Sequence, residues 1–192
     1  MKTVTGLFDN YDAAKDAVNR LEAAGFPSDD ISIVSHHREG ESNAGAGAGV
    51  GAGIGAAIGG AGGLLTGLGI MAIPGVGPVV AAGWLAATLA GAVGGAVVGG
   101  VAGGLIGALT ESGVSEEDAH VYAESVRRGG SLVTARVPEN RAAEADAILA
   151  GASRVDVVAR REVYTREGWQ NFDPNAEPYT SEEIERERNR YL

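Results

Sequence analysis

Three histidines are the side chains of this sequence best suited to metal or acid–base chemistry, and two of them are adjacent. His36 and His37 lie close to Glu39 and Glu41, and imidazole and carboxylate groups together can ligate a metal ion. Neighbouring residues of an extended strand point to opposite faces, so the two imidazoles are poorly placed to share one ion. The sequence therefore predicts a polar strand end here and no metal site. No GxSxG or other nucleophile motif accompanies the serines.

Glycines that follow the second predicted strand raise the question of phosphate binding. A dinucleotide-binding loop has a few glycines at one turn, then an ordinary helix and an acidic residue further on. Here glycine recurs from Gly45 to Gly107, and no GxxxxGK[ST] motif is present. The sequence therefore predicts no nucleotide cofactor, and indeed no cofactor of any kind. The net charge of −10 argues against a nucleic-acid partner.

The centre of the chain has a composition unlike that of its flanks. Between Ala44 and Thr110 there is no Lys, Arg, Asp, Glu or His, and 23 of the 31 glycines fall there. Glycines four apart share one helix face, where a second backbone can pack closely. The predicted helix-packing glycines are Gly47, Gly51, Gly55, Gly59, Gly63 and Gly67, and then Gly91, Gly95, Gly99, Gly103 and Gly107.

Two helical arms joined by a turn would place these glycines in a hairpin. The predicted arms are Val50–Ala72 and Val79–Leu109, and each reaches the ~20 residues that span a bilayer core. The predicted turn residues are Pro74, Gly75, Gly77 and Pro78. Because the charged flanks are hard to translocate, the sequence predicts a membrane-associated protein with both termini in the cytoplasm. The alternative is a cytoplasmic homo-oligomer with these helices buried between subunits. A disordered or silk-like segment is disfavoured, since the glycine spacing is four and not two.

Each flank of this region predicts a strand, a helix and a second strand. In residues 1–42 the strands are Thr3–Phe8 and Ile31–Val34, and the helix between them ends at Gly25. Residues 131–161 repeat the pattern, with strands at Leu132–Val137 and Val155–Val158 and a helix from Pro138 to Gly151. The sequence therefore predicts an α+β fold. It is a ferredoxin-like βαββαβ domain split by an inserted glycine-zipper hairpin at residues 43–110.

Two further helices are predicted outside the hairpin. In residues 111–130, Ser115 and the acidic residues after it predict the start of a connecting helix that ends near Arg128. In the tail, residues 162–192, Thr180 and Glu183 form a possible capping box before a short charged helix. The aromatic residues of the tail indicate that it docks, either on its own domain or on a neighbouring subunit.

The order and spacing of these segments resemble a known family. Over residues 1–160 the chain is similar to the bacterial general stress protein family with a glycine-zipper insertion. The resemblance implies stress-induced expression and membrane association, and it brings no catalytic residue, cofactor or defined partner. The matching segments are VTGLFDNYDAAKDAVNRLEAAGFPSDDISIV, AIPGVGPVVAAG within the glycine-rich hairpin, and GVSEEDAHVYAESVRRGGSLVTARV.

Together these features predict a non-enzymatic structural stress-response protein. We expect it to self-assemble through glycine-zipper helices in or on a membrane, so its partners would be copies of itself and a lipid bilayer. One alternative is a soluble homo-oligomeric shell or scaffold with buried zippers. Another is a ligand-sensing ferredoxin-like domain, which rests on analogy of fold alone.

Overall fold

A computed structural model describes residues 1–36, 69–94 and 104–191. Its strands are β1 (Lys2–Phe8), β2 (Ile31–His36), β3 (Gly69–Ile73), β4 (Gly77–Gly83) and β5 (Ser131–Val137). Its helices are α1 (Tyr11–Ala23), α2 (Trp84–Gly94), α3 (Leu105–Glu111), α4 (Glu116–Arg127), α5 (Ala142–Gly151), α6 (Val157–Arg166) and α7 (Ser181–Arg188). The predicted α+β class is confirmed.

The strands form one antiparallel sheet in the order β1-β5-β2-β4-β3. The first flank builds a crossover, because α1 carries the chain from β1 past the position of β5 to β2. The second flank inserts β5 between those two strands. On the far side of β2 the sheet continues into β4 and β3, where helices were expected. The specific ferredoxin-like topology with an inserted helical hairpin is therefore not confirmed.

Helices cover both faces of the sheet and bury two apolar cores. On one face α1 and α5 pack over Val4, Val133 and Ala135. On the other face α2, α3 and α4 pack over side chains of the opposite parity, such as Leu7 and Leu132. This alternation is expected of strands whose successive side chains point to opposite sides.

The predicted helical arms are wrong at residues 69–72 and 79–83, whereas residues 84–94 and 105–109 of the second arm are helical. Gly69–Ile73 and Gly77–Gly83 are paired strands, and α2 begins only at Trp84. Val79, Val80, Ala81 and Ala82 are each no more than 8% exposed and lie beside β2. A continuous apolar run of this kind suits a strand buried on both faces, and a short run does not distinguish it from a helix. The rest of the first arm, Val50–Leu68, lies outside the described residues.

The last predicted strand, Val155–Val158, is also wrong. Only Val155 pairs, as a single antiparallel bridge to Leu7 of β1. Asp156 then accepts hydrogen bonds from the backbone N–H groups of Val158 and Ala159, at 2.8 and 3.1 Å, and so caps α6. A capping carboxylate satisfies amide groups that a helix start leaves open, and here it outweighs the strand preference of the valines.

Other helix ends agree closely with the sequence. Ser115 caps α4 by accepting a hydrogen bond from the backbone N–H of Asp118, and Thr180 and Glu183 form the complete capping box of α7. The helix α5 differs, because it runs through Gly151 and the left-handed residue that follows it is Ser153, with φ of 65°. In the described ranges, each helix is too short or too polar to cross a bilayer.

Candidate functional site

Most of the predicted helix-packing glycines cannot be placed. Gly91 lies in α2 and Gly107 in α3, two helices that contact each other. The zipper itself therefore stays a prediction. The positions outside the described residues are Gly47, Gly51, Gly55, Gly59, Gly63, Gly67, Gly95, Gly99 and Gly103.

Two of the four predicted turn residues, Pro74 and Gly75, lie in a turn that joins β3 to β4, whereas Gly77 and Pro78 are the first residues of β4. Pro74 precedes Gly75, whose φ is 74°, and the backbone N–H of Val76 donates to the carbonyl of Ile73 at 3.0 Å, as in a type II turn. The turn is not a free tip, because Val76 is fully buried. A Cβ atom added to Gly75 would lie 2.6 Å from the carbonyl oxygen of Asp173 in the tail. The glycine is required for this close approach.

The tail docks on its own domain. It crosses the β3–β4 turn, where a Cβ atom added to Gly77 would lie 2.8 Å from Cβ of Pro178. Before that point the backbone N–H of Phe172 donates to Nδ1 of His120 in α4, at 3.2 Å. The tail ends with α7, whose Ile184 is 2% exposed and packs on Gly129. These contacts decide between the two docking partners that the sequence left open.

A buried group of charges holds the tail in place. Arg128, at the end of α4, is 8% exposed and donates to the carboxylates of Glu124, Glu167 and Glu187 at 2.7, 2.8 and 3.1 Å. Its guanidinium also lies over the ring of Tyr164, 4.1 Å from the centroid. Burial lowers the pKa of Arg128, but the hydrogen bonds to Glu124 and Glu167 outweigh burial and raise that pKa. Arg128 is therefore a fixed cation that joins α4, α6 and α7.

The arrangement around Arg128 is suited to holding segments together and not to binding a substrate. The hydroxyl groups of Ser125 and Tyr164 share a hydrogen bond of 3.1 Å, and burial raises the pKa of Tyr164. The cavity beside them has a volume of about 10 Å³, which is room for a single water molecule. We call the side chains of Arg128, Glu124, Glu167 and Glu187 the tail cluster.

A wide opening lies along the outer edge of β1. This groove has a volume of about 940 Å³ and its floor is the run Lys2–Thr5. One wall is the α5 face formed by Ala142, Asp146 and Ala150. The other wall is formed by the residues that lead into α4, together with Tyr122. We call this opening the edge groove.

Three charged side chains of the edge groove, Asp118, Asp146 and Arg154, form ion pairs. Arg154 pairs with Asp146 at 2.5 Å, and Arg161 pairs with Asp118 at 2.5 Å. Burial, followed by the charge of Asp118, raises the pKa of Tyr122 to about 12, so this phenol stays neutral. The groove therefore offers backbone groups and small side chains more than it offers net charge.

The histidine pair adds no site within the described residues. His36 is the last residue of β2 and is 9% exposed. His37, Glu39 and Glu41 lie outside the described residues. In the parts of the chain that the structure describes, no three His, Asp or Glu side chains are grouped as metal ligands.

Sequence reasoning missed the edge groove because it assigned a strand to that position. The available signal was Asp156, which stands one residue after Val155 and two before the last of the valines. Aspartate is among the residues favoured at the start of a helix and disfavoured inside a strand. Its presence there predicts that the strand stops early.

The fold is an antiparallel sheet covered by helices on both faces. Residues 3–69 match the family model described as the heat induced stress protein YflT domain. The match runs from β1 to the start of β3, and this part of the chain is similar to that family. The resemblance to bacterial general stress proteins is thereby confirmed. No curated protein and no solved structure matches the chain.

Proposed function

We propose that this protein is a non-enzymatic stress-response protein that acts by assembling with copies of itself through helices in its glycine-rich segments. The stress-response part follows from the family match at residues 3–69. The self-assembly part is carried by one observation, the position of the two ends of residues 37–68 on the sheet.

Those two ends lie on either side of β4. His36, where the segment leaves, pairs with Val79, and Gly69, where it returns, pairs with Ala81. With strands about 4.8 Å apart, the two ends are separated by roughly 10 Å. Packed helices have axes 8–10 Å apart. This spacing supports the proposal that residues 37–68 form adjacent helices that begin and end at neighbouring positions on the sheet.

Such helices need a partner surface. In water each glycine costs a helix ~1 kcal/mol relative to alanine, so glycine-rich helices are stable only when they pack closely. Copies of the same chain supply matching rows of glycines spaced four residues apart, at high local concentration. We call these rows the glycine files. The transmembrane form of the hairpin lacks support among the described residues, because the ends of both predicted arms belong to the sheet or to its apolar cores.

The proposal is tested by replacing glycines of the glycine files with a larger residue. Gly55→Leu combined with Gly95→Leu places bulk on both files, and we expect the assembly to lose most of its mass in size-exclusion chromatography with light scattering. The matched control is Ala56→Leu with Ala96→Leu, which adds the same bulk beside the files. An assembly that keeps its mass after the glycine changes would refute the proposal. Fractionation before chromatography shows whether a membrane is involved.

A further inference from the structure

Strand β1 is an edge strand, and among the described residues only Val155 pairs with its outer side. Leu7 directs its carbonyl outward, where it accepts a hydrogen bond from the backbone N–H of Val155 at 2.8 Å. Residues two apart in a strand direct their backbone groups to the same side. The N–H and C=O groups of Thr3 and Thr5 therefore point into the edge groove, and these two residues form the row that an added strand would pair with.

The edge groove has the shape of a vacant strand position. The helix α5 packs on the Val4 face of the sheet, and its residues Ala142 and Ala150 extend past β1 over the groove. The segment around Val114 closes the other side. Because Asp118, Asp146 and Arg154 are paired and the other lining charges, Lys2, Glu139 and Asp156, are of mixed sign, the groove suits an extended, uncharged strand. Native proteins protect exposed edges with charge, proline or a cover, and β1 has only Lys2 at its end.

A strand of that kind lies at the opposite edge of the same sheet. Strand β3, with the sequence GIMAI, is free of charge and of proline. Its Ile70 is 67% exposed. The open part of β1, Lys2–Gly6, and the strand β3 each contain five residues. Five residues of strand span about 17 Å, so the two edges match in length.

We infer that β3 of one copy enters the edge groove of the next copy and pairs with β1 in parallel. This inference rests on the self-association proposed above, but it assigns a contact independent of the glycine files. Ala82 packs in the core beneath α1 and α5, so Val80 and its partner Ile70 belong to that same face. A parallel arrangement brings the overhanging α5 of one copy over Ile70 of the other.

The walls of the groove disfavour pairing of β1 with β1 of a second copy. A two-fold axis normal to the sheet keeps the faces aligned, and it would place both α5 helices over the same strand position. Pairing of β1 with β3 is heterologous, so each copy keeps one donor edge and one acceptor edge. Repetition of such a contact gives a ring or a filament.

Engineered cysteines test this contact directly, because the chain contains no cysteine. Lys2 and Ile70 share a face and become neighbours in the parallel pairing. Neighbouring strands bring their Cα atoms to about 5 Å, within the range for a disulfide. Copies carrying Lys2→Cys are mixed with copies carrying Ile70→Cys and oxidised mildly. We expect a disulfide-linked species of twice the 19.4 kDa chain mass on a non-reducing gel.

The controls separate the possible outcomes. Lys2→Cys mixed with Val158→Cys is the matched control, since Val158 is 56% exposed and lies on neither edge. A yield no higher than this control overturns the inference, as does equal cross-linking of either variant alone. The experiment is repeated with Gly55→Leu and Gly95→Leu present. Loss of the cross-link there overturns the inference and leaves the glycine proposal standing. An assembly mass that is unchanged by Gly55→Leu and Gly95→Leu refutes the proposed packing of glycine-rich helices. A cross-link between the Lys2→Cys and Ile70→Cys copies would still support the contact between β1 and β3.

Discussion

The two flanks of the glycine-rich region begin alike and finish differently. The first flank ends in β2, a full strand of six residues that pairs on both sides. The second flank reaches the same stage at Val155, makes one bridge to β1 and turns into α6. The first flank therefore fills its place in the sheet, and the second leaves a place open. One capping carboxylate, that of Asp156, separates the two results.

The second flank forms fewer strand pairs than the first, and contacts made by its tail stabilise it instead. The first flank is held by backbone hydrogen bonds and by the core beneath α1. The second flank continues into α6 and α7, which are joined to α4 by the tail cluster. Equivalent strand and helix patterns are therefore stabilised by quite different means in the two flanks, and three experiments test that difference.

The largest expected effect follows from removing the central cation of the tail cluster. Arg128→Met removes the cation that Glu124 and Glu187 share and leaves Arg127 and Arg190 as their remaining partners. Removing one partner of a buried pair costs about 3–5 kcal/mol. The measurement is the free energy of unfolding from urea titration. Arg20→Met in α1 is the matched control, because the Arg20–Asp16 pair is about half exposed. If both variants lose the same stability, the tail cluster does not hold the second flank.

A smaller effect is expected where the helix of each flank ends. The left-handed position after α1 is Gly25, with φ of 82° and open space around its Cα, whereas the one after α5 is Ser153. A side chain in this conformation costs roughly 1–2 kcal/mol. Gly25→Ser should therefore destabilise the protein and Ser153→Gly should stabilise it, each by about 1 kcal/mol. Thermal unfolding followed by circular dichroism measures both, and shifts of the same sign would contradict the equivalence of the two helix ends.

The smallest expected effect is on how the stability of the protein depends on pH. Burial raises the pKa of Glu167, but hydrogen bonds and charges from Arg128 and Arg190 outweigh burial and lower it. A carboxylate with a lowered pKa stabilises the fold above its ordinary value of 4.5, and that contribution is lost as the pH falls through the lowered pKa. Glu167→Gln should therefore flatten the loss of stability on acidification. Glu162→Gln, on the same helix, is the control. Identical pH profiles for the two variants would show that Glu167 does not contribute to the loss of stability in acid.

The sequence predicted most of the fold wherever a local signal was decisive. Ser115 and Thr180 each begin a helix, as their side chains predict. It failed at Val79–Ala82, because an apolar run carries no periodicity and only its pairing with β2 makes it a strand.

The candidate sites were less accessible from sequence. The edge groove exists because a strand is missing, and the tail cluster joins Arg128 to a glutamate fifty-nine residues further on. Neither arrangement follows from local spacing. Pro74 and Gly75 lie in the β3–β4 turn, but the tail that packs against this turn becomes visible only in three dimensions.

The pairing of β1 with β5 has a kinetic consequence. These strands are neighbours in the sheet but lie more than a hundred residues apart along the chain. Pairing of such distant segments slows folding, because the entropy of closing the long loop must be overcome before the contact forms. Closure entropy grows slowly with length, by about 0.6 kcal/mol for each doubling, so the length of the glycine-rich segments has little influence on stability. Recovery after heating is therefore expected to be governed by the time that β1 and β5 need to meet.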